Sequence, residues 1–455
     1  MKLSIQQIAD ALHAPIQNEQ NVTVTTTSFD SRQAKPDSLF VPLVADNDGH
    51  AYIDSAVQNG ATAALWQKDH TPYPTEIPLI LVDDTLVAFQ AVAEFYLHEV
   101  APKVVAISGS NGKTTTKDLI AAIGATKFKT LKTPENFNNE IGVPTTILAM
   151  DDDTELLVLE LGMDHPGDLN KLSTMVQPDI AVLTMIGEAH IEFFKTRGRI
   201  ADGKMQITDG FKSDSTLVYN GDEPLLIERV GAKDNLHSVR FGLNSENDLF
   251  ASDIEMTPTK ATFTTNTSSQ SFTIPLTGRY NVANALSAIS VGHLLGIDDA
   301  QMADALINAP ITANRTQWLD GRFGGQILSD VYNSNPTAAK EVLQSFSTVP
   351  TNGKRIAVLG DMLQLGTAAP ELHASLAPDL NPEKIQQVYL VGELMAALAD
   401  ALATKYPADQ VHLYPSNALD DLTSALQAQL TADDILLLKG SHGIHLENVV
   451  EKLID

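Results

Sequence analysis

The sequence predicts an α/β protein of three units: a small α/β N-terminal unit, a central mostly parallel sheet of the phosphate-loop type, and a C-terminal Rossmann-like sheet. Three observations predict it. First, the apolar run Val104–Ile107 passes through Gly109-Ser110-Asn111-Gly112 into Lys113 and Thr114, reading as a buried strand, a tight turn and a helix start. Second, short apolar runs alternate with helical patterns from about residue 103 to 312, as in a parallel sheet covered by helices. Third, four further strand–helix units follow from about 313 onward. A chain of 455 residues is long enough for two or three cores. The expected boundaries are 1–100, 101–312 and 313–455.

Taken in order, Met1 to Asp10 spaces its apolar residues helically and lacks the continuous apolar core of a signal peptide. Leu39–Leu43, Ala63–Trp66 and Leu79–Val82 read as strands. Ile53–Asn59, stopped by Gly60, and Val87–His98 read as helices, with Ala101-Pro102 as the hinge into the central unit. There, Leu156–Leu161 and Ile180–Met185 have the unbroken apolar character of buried parallel strands. The Thr- and Ser-rich stretch 250–276 reads as an antiparallel hairpin, and Asn281–Leu295 as a helix. The C-terminal strands are expected at Gln326–Val331, Arg355–Leu359, Gln387–Val391 and Asp434–Leu438, with helices starting near Pro336, Pro370, Glu393 and His445.

Composition narrows the function. A formal charge of −27 argues against a general nucleic-acid or anionic-membrane binder, because both require a basic surface. An anionic small substrate then requires positive charge concentrated locally, at Lys113, at helix N-termini and on bound metal. The absence of cysteine excludes disulfides, thiolate nucleophiles and thiolate-bound zinc. No stretch approaches the ~18 apolar residues of a membrane span. A cytoplasmic protein without membrane insertion is expected.

The chemistry is expected outside the carboxyl ends of the parallel strands. Backbone N–H groups at the turn before Lys113 cradle phosphate, Lys113 adds a point charge, and the Thr114 hydroxyl can hold Mg²⁺. The pattern departs from the full phosphate loop in having Ile107 where its first glycine belongs. Glu160 and His190 fall at the next strand ends, and hydroxyl, carboxylate and imidazole together suit Mg²⁺ or Mn²⁺ beside phosphates. Each has a structural alternative, a capping carboxylate or a loop histidine; their coincidence favours the metal. Asp151-Asp152-Asp153 precedes its strand, at the wrong end, and reads as a solvated turn. Asn136, Asn138 and Asn139, crowded between a proline turn and an apolar run, are costly to bury without partners. They read as a plain polar loop or as donors and acceptors over a sugar or peptide.

Motifs in fixed order extend this reading along the whole chain: Gly109-Ser-Asn-Gly-Lys-Thr-Thr-Thr-Lys117, Asn136-Phe-Asn-Asn-Glu-Ile-Gly-Val-Pro144, Glu160-Leu-Gly-Met163 and Gly187-Glu-Ala-His-Ile191. Gly278-Arg-Tyr-Asn-Val-Ala-Asn-Ala285, Asn314-Arg315, Asp330-Val-Tyr-Asn-Ser-Asn-Pro336, Leu359-Gly-Asp-Met362 and Lys439-Gly-Ser441 follow. With them the chain resembles the Mur ligase family, in its branch that adds a dipeptide. The resemblance implies an ATP-dependent ligase joining D-alanyl-D-alanine to UDP-N-acetylmuramoyl-tripeptide through an acyl phosphate. It implies that Gly109, Asn111, Gly112, Lys113, Thr114 and Thr115 meet ATP, with Asn281, Asn284, Arg315 and Asp330 also at the nucleotide. Lys113, Glu160, His190 and Lys204 would be catalytic. Thr114, Glu160, His190 and Lys204 would serve two Mg²⁺ ions, Lys204 as a carbamate. Ser28, Ser31 and Arg32 would receive the UDP end, and Asn136, Asn138, Asn139, Tyr332, Asn333 and Asn335 the rest of the substrates. A monomer is expected.

Three positions depart from the family pattern: Met185 for a common asparagine, Tyr280 for a frequent histidine and His442 for a frequent arginine. The last leaves open how the dipeptide carboxylate is neutralised, since imidazole is mostly uncharged at neutral pH. The rivals are the ligase adding the third amino acid, a folylpolyglutamate synthase-like enzyme, a hydrolysing NTPase and a non-catalytic nucleotide-binding scaffold. The NTPase would need neither the first unit nor the last.

Overall fold

The computed structural model describes residues 1–44, 46–312 and 315–454. Asn314, part of one resemblance motif, lies outside the described residues, as does residue 313, where the last unit is expected to begin. Among the described residues the chain builds three large sheets and one two-stranded ribbon.

The N-terminal sheet runs in the order Ile16–Gln17, Leu79–Val82, Ala61–Gln67, Ser38–Phe40, Thr26–Ser28. All its pairs are parallel except the first. Helix Ile5–Leu12 starts at a capping box in which Ser4 and Gln7 satisfy each other's backbone N–H groups. Helix Thr85–Val100 is capped by the Asp84 carboxylate and stops at Ala101 in the left-handed conformation, at the expected hinge. This unit is fused to the next by a continuous apolar core that includes Ile8, Phe89, Tyr96, Ile147 and Leu159. The Met1 ammonium donates to the Leu148 carbonyl (2.8 Å) and the Tyr96 hydroxyl to that of Met150 (2.9 Å) across the same boundary.

The central sheet has nine strands in the order Ser268–Ile274, Ala261–Thr265, Leu249–Met256, His237–Gly242, Thr216–Asn220, Ile180–Leu183, Lys103–Ser108, Leu156–Glu160, Thr130–Lys132. The last seven pair in parallel. The stretch read as a hairpin is a three-stranded antiparallel meander. Its Thr-rich alternation buries Phe263 and Phe272 on one face and leaves hydroxyls on the other. Helices Lys113–Gly124 and Arg279–Leu294 pack together over one sheet face, with Ile120, Ile123, Leu286 and Ile289 in a shared core. Asp118, wholly buried, accepts from Lys132 (2.5 Å) and from the backbone N–H (2.8 Å) and hydroxyl (2.7 Å) of Thr312. That bond ties the end of the central unit to the phosphate-loop helix.

The C-terminal sheet runs Gln317–Asp320, Gln326–Asp330, Ile435–Lys439, Arg355–Gly360, Gln387–Val391, Val411–Tyr414, parallel except for its first pair. The four expected strands are present; the expected count of units is corrected by Val411–Tyr414 with helix Leu419–Gln429. That edge strand alternates apolar and polar residues and stays half exposed, so it offers no unbroken apolar run. Two helices also start later than expected. Residues 394 and 395 donate their N–H groups to the Asp361 carboxylate before helix Ala396–Leu402 begins. His445 takes a left-handed conformation, and the final helix starts at Glu447. No helix among the described residues is long and apolar enough to cross a membrane.

Candidate active site

Strand Lys103–Ser108 is apolar from Val104 to Ile107 and ends, at the buried Ser108, against the turn 109–112. The turn needs its glycines. Gly109 has φ +151°, and a Cβ there would drive into Thr184, whose hydroxyl donates to the Asn111 carbonyl (2.5 Å). Gly112 has φ +82°, and a Cβ would press on the Asn284 amide. Helix Lys113–Gly124 has no side-chain cap, so its first N–H groups and its positive dipole end stay open toward the cleft. Lys113 folds back to donate to the Gly109 carbonyl (3.0 Å), and withdrawal from water lowers its ammonium from the usual 10.5.

Glu160, at the end of the adjacent strand, is buried. One carboxylate oxygen accepts the Thr114 hydroxyl and the other the Asn138 amide, each at 2.8 Å. Lys204 is 2% exposed, and its nearest partner is the Ser108 hydroxyl at 3.4 Å. Burial, then the charge of Lys113, drives its ammonium well below the lysine range. His190 stands in a left-handed conformation (φ 62°), with its Nδ1 buried and without a hydrogen bond, 3.5 Å from the Asp164 carboxylate. Burial, then Lys204, push its imidazole down to about 4. Lys113, Lys204 and His190 thus crowd around Glu160 and Asp164, and burial disfavours a charge on each of the three bases. In a chain of charge −27 an anion is favoured where Lys113 stands at the uncapped helix start.

The far wall comes from the C-terminal unit. Asp330 and Lys439 form a buried ion pair (2.6 Å), and Lys439 also donates to the Asn333 carbonyl (2.9 Å). Arg315 lies 3.8 Å over the Tyr332 ring, with its Nε buried and unpaired. Between the walls is a cavity of about 560 Å³ lined by Asn111, Thr115, Asn281, Asn284, Arg315 and Asp330, among others. Its size suits a nucleotide. Asn281 donates to the Thr277 carbonyl (2.7 Å) and accepts from the Asn284 amide (3.2 Å).

The structure therefore gathers Gly109 to Thr115, Glu160, His190, Lys204, Asn281, Asn284, Arg315, Asp330, Tyr332, Asn333 and Asn335 around one cleft. The Asn136 side chain reaches Tyr332. Asn139 is spent locally, accepting the N–H groups of Ile141 and Gly142. Ser28 and Arg32 are bonded within their own turn, Ser28 to the Asp30 carbonyl (2.7 Å) and Arg32 to the Asp30 carboxylate (2.8 Å), and the Ser31 carbonyl accepts from Asn59 (3.0 Å) at the end of helix Ile53–Gln58. Asp151 and Asp153 pair with Lys129, away from the cleft. Met185 sets its sulfur 3.5 Å from the Asn111 amide, Tyr280 bonds Thr316 (3.3 Å), and His442 stacks on Tyr332.

Sequence reasoning missed Asp164, Lys439 and Glu341 as members of the cleft. Lys439 was legible, since it ends an apolar strand. Glu341 carried no signal beyond its place on a helix. It lies largely out of water beside Lys439 and Glu188. Burial pushes its carboxyl up to about 7, against the pull of Lys439. Its folded pKa thus lies above the ordinary 4.5, and the stability it contributes is full below pH 4.5 and lost as pH rises through 7. Glu341→Gln should melt higher than the parent at pH 8 and flatten the decline between pH 5 and 8, by up to about 3 kcal/mol. Parallel pH–melting curves for the two proteins would exclude Glu341 as the source.

A second cluster, Asp48, His50 and His70, lies in the N-terminal unit. His50 Nε2 accepts the Gln67 N–H (3.3 Å), so its proton sits on Nδ1 and goes to Asp48 (2.7 Å). His70 donates to the other Asp48 oxygen (2.9 Å). A metal on His50 Nδ1 would move the proton to Nε2, against the Gln67 N–H. The cluster is a hydrogen-bonded clasp.

The chain matches the Mur ligase middle domain over residues 107–292 and the Mur ligase glutamate ligase domain over 314–442. It is 35% identical to the UDP-N-acetylmuramoyl-tripeptide–D-alanyl-D-alanine ligase of Bacillus subtilis, across 100% of this chain and 99% of that one. The crystal structure of MurF from Acinetobacter baumannii superposes with a TM-score of 0.90 at 26% identity, covering 100% and 99% of the two chains. That of MurF ligase from Thermotoga maritima in complex with ADP gives 0.82 at 27% identity, over 94% and 97%.

Proposed function

Because the chain belongs to the Mur ligase family, in the branch of UDP-N-acetylmuramoyl-tripeptide–D-alanyl-D-alanine ligases, we propose the following roles for its residues. The reaction is ATP-dependent amide formation. The terminal carboxylate of the UDP-linked tripeptide attacks the γ-phosphate of ATP and ADP leaves. The amine of D-alanyl-D-alanine then attacks the acyl phosphate carbonyl, and the tetrahedral adduct expels phosphate. A carboxylate is a poor electrophile in water; phosphorylation turns one of its oxygens into a leaving group. Positioning and charge neutralisation carry most such transfers.

The observation that carries the assignment of roles is the convergence of half-buried Lys113 and His190 with buried Lys204 around the buried Glu160. Lys113 and the open N–H groups of Gly112 to Thr115 hold the triphosphate, with Gly109 and Asn111 shaping the loop. Asn281, Asn284 and Asp330 line the nucleoside side. Arg315, held over Tyr332, lines the same cavity and adds a positive charge to it. Tyr332, Asn333, Asn335, Asn136 and Asn138 border the acceptor side, with Asn139 bracing their loop, and Ser28, Ser31 and Arg32 the UDP end. We read the units as 1–100, 101–312 and 313–455, and the protein as a cytoplasmic monomer.

The residues present fit Mg²⁺. Thr114 and Glu160 converge their oxygens at 2.8 Å in a buried spot, and His190 keeps an unpartnered Nδ1. Lys204, whose burial disfavours its charge, is suited to carbamate formation on the neutral amine. Thr114 and Glu160 would hold one ion, His190 and carbamylated Lys204 a second. Bound Mg²⁺ would supply charge neutralisation at the phosphate oxygens.

Phosphate release with ATP, Mg²⁺ and UDP-N-acetylmuramoyl-tripeptide tests the reading. Release that requires D-alanyl-D-alanine and yields a UDP-pentapeptide by mass is expected. Turnover indifferent to the dipeptide would return the assignment to the amino-acid-adding rivals.

A further inference from the structure

The N-terminal unit shares an apolar core with the central one, but the C-terminal unit meets it mainly through polar groups. Of the central unit, Ile191 and Tyr280 pack against the larger C-terminal core. Otherwise, Asn111 of the phosphate loop and Asn335 exchange both amide hydrogen bonds, at 3.2 and 2.9 Å. Glu188 accepts the backbone N–H (3.1 Å) and the hydroxyl (2.8 Å) of Thr337.

These contacts complete a helix start. In helix Pro336–Phe346, Pro336 has no N–H, and Asn335 accepts the N–H of Ala338 at 3.1 Å. The N–H of Thr337 is the donor left over, and the residue that satisfies it belongs to the other unit. An anion at a helix N-terminus also meets the positive end of the dipole. Glu188 is held on its own side near Arg197 (3.9 Å), which bonds the Ile186 carbonyl (2.7 Å) and Glu223 (2.9 Å). Next to it, Gly187 leaves room for Asn335, whose amide oxygen would lie 3.2 Å from a Cβ there.

We propose that Glu188 is a positioning residue that caps the Pro336 helix from across the cleft, so that its pairing with Thr337 holds the C-terminal unit closed on the phosphate loop. The proposal rests on the ligase reading above. The same movement that seats Glu188 sets Asn335 against Asn111, so one closure completes both the phosphate loop and the wall bearing Asp330 and Lys439. In an open form both partners hydrogen-bond to water. The latch therefore shifts a balance rather than locking it, as repeated turnover requires.

The test is a double-mutant cycle in the full chain: Glu188→Ala, Thr337→Ala, both together, and Thr337→Ser. Each alanine variant should lose roughly tenfold in kcat/KM for D-alanyl-D-alanine. The double variant should lose no more than the worse single one, and Thr337→Ser should retain wild-type rates. Affinity for ADP alone, measured by calorimetry, should fall by less than kcat/KM does, because the central unit supplies the phosphate site and the C-terminal unit only the Arg315 and Asp330 side of the cavity. Small-angle scattering with a non-hydrolysable ATP analogue and the UDP-tripeptide should show the wild type compact and the alanine variants expanded. Wild-type rates in the single variants, or losses that multiply in the double, would overturn the latch. If Glu188→Ala melts early, Glu188→Gln with Thr337→Ala completes the cycle. Failure of the wild type to form the pentapeptide would indict the ligase reading instead.

Discussion

Lys113→Ala is expected to lower kcat/KM by roughly a thousandfold while leaving the fold intact. The ammonium sits at the mouth of an uncapped helix start, bonded to the Gly109 carbonyl rather than to a carboxylate. Its removal therefore breaks no ion pair that stabilises the fold. What is lost is a cation aimed at phosphate charge in a site shielded from water, where single groups of this kind are worth about 10²–10³ in rate. Lys113→Arg should recover little, because the guanidinium is a planar fork where a compact charge is required. The check is steady-state phosphate release alongside thermal melting. A variant within about tenfold of wild type would remove Lys113 from the transfer step.

Lys204→Met should be nearly inactive and yet melt higher than the parent. A side chain 2% exposed, with one hydroxyl at 3.4 Å, has no carboxylate in ion-pair contact to offset its buried amine. Methionine fills similar space without a polar atom to desolvate. A rise of about 3–6 °C in carbonate-free, chelator-containing buffer is the expected scale. The sign with pH is fixed. The folded pKa lies below the ordinary 10.5, so between the two values the unfolded chain binds more protons and parental stability rises with pH. The advantage of methionine should narrow as pH approaches 10.5. Part of the lost activity should return to Lys204→Ala with added acetate, which supplies the anionic oxygen that a carbamate would. Full activity of Lys204→Met would show that the buried amine has no part in the reaction.

Both predictions concern residues of different legibility. Lys113 was evident from its neighbours, because an apolar strand, a glycine turn and Gly-Lys-Thr form one local device whose geometry follows from sequence spacing. Glu160 and His190 were legible from strand ends, since parallel sheets put carboxyl-terminal residues at one edge. Lys204 was not: within Asp202-Gly-Lys-Met it reads as a helix-surface lysine, and only the family resemblance pointed to it. The edge strand Val411–Tyr414 was missed because half-exposed edge strands carry weak apolar patterning.

The sequence by itself determined the α/β class, the order of most strands and helices, the phosphate loop and the family. These depend on local periodicity, on turn chemistry and on motifs carried along the chain. Tertiary structure alone decided that Lys204 is buried beside Lys113, that Glu341 faces Glu188, and that Glu188 caps a helix 149 residues further on. Burial, pKa and trans-domain capping are properties of groups brought together by the fold. Their partners lie far apart in the chain, and no local pattern encodes the distance between them.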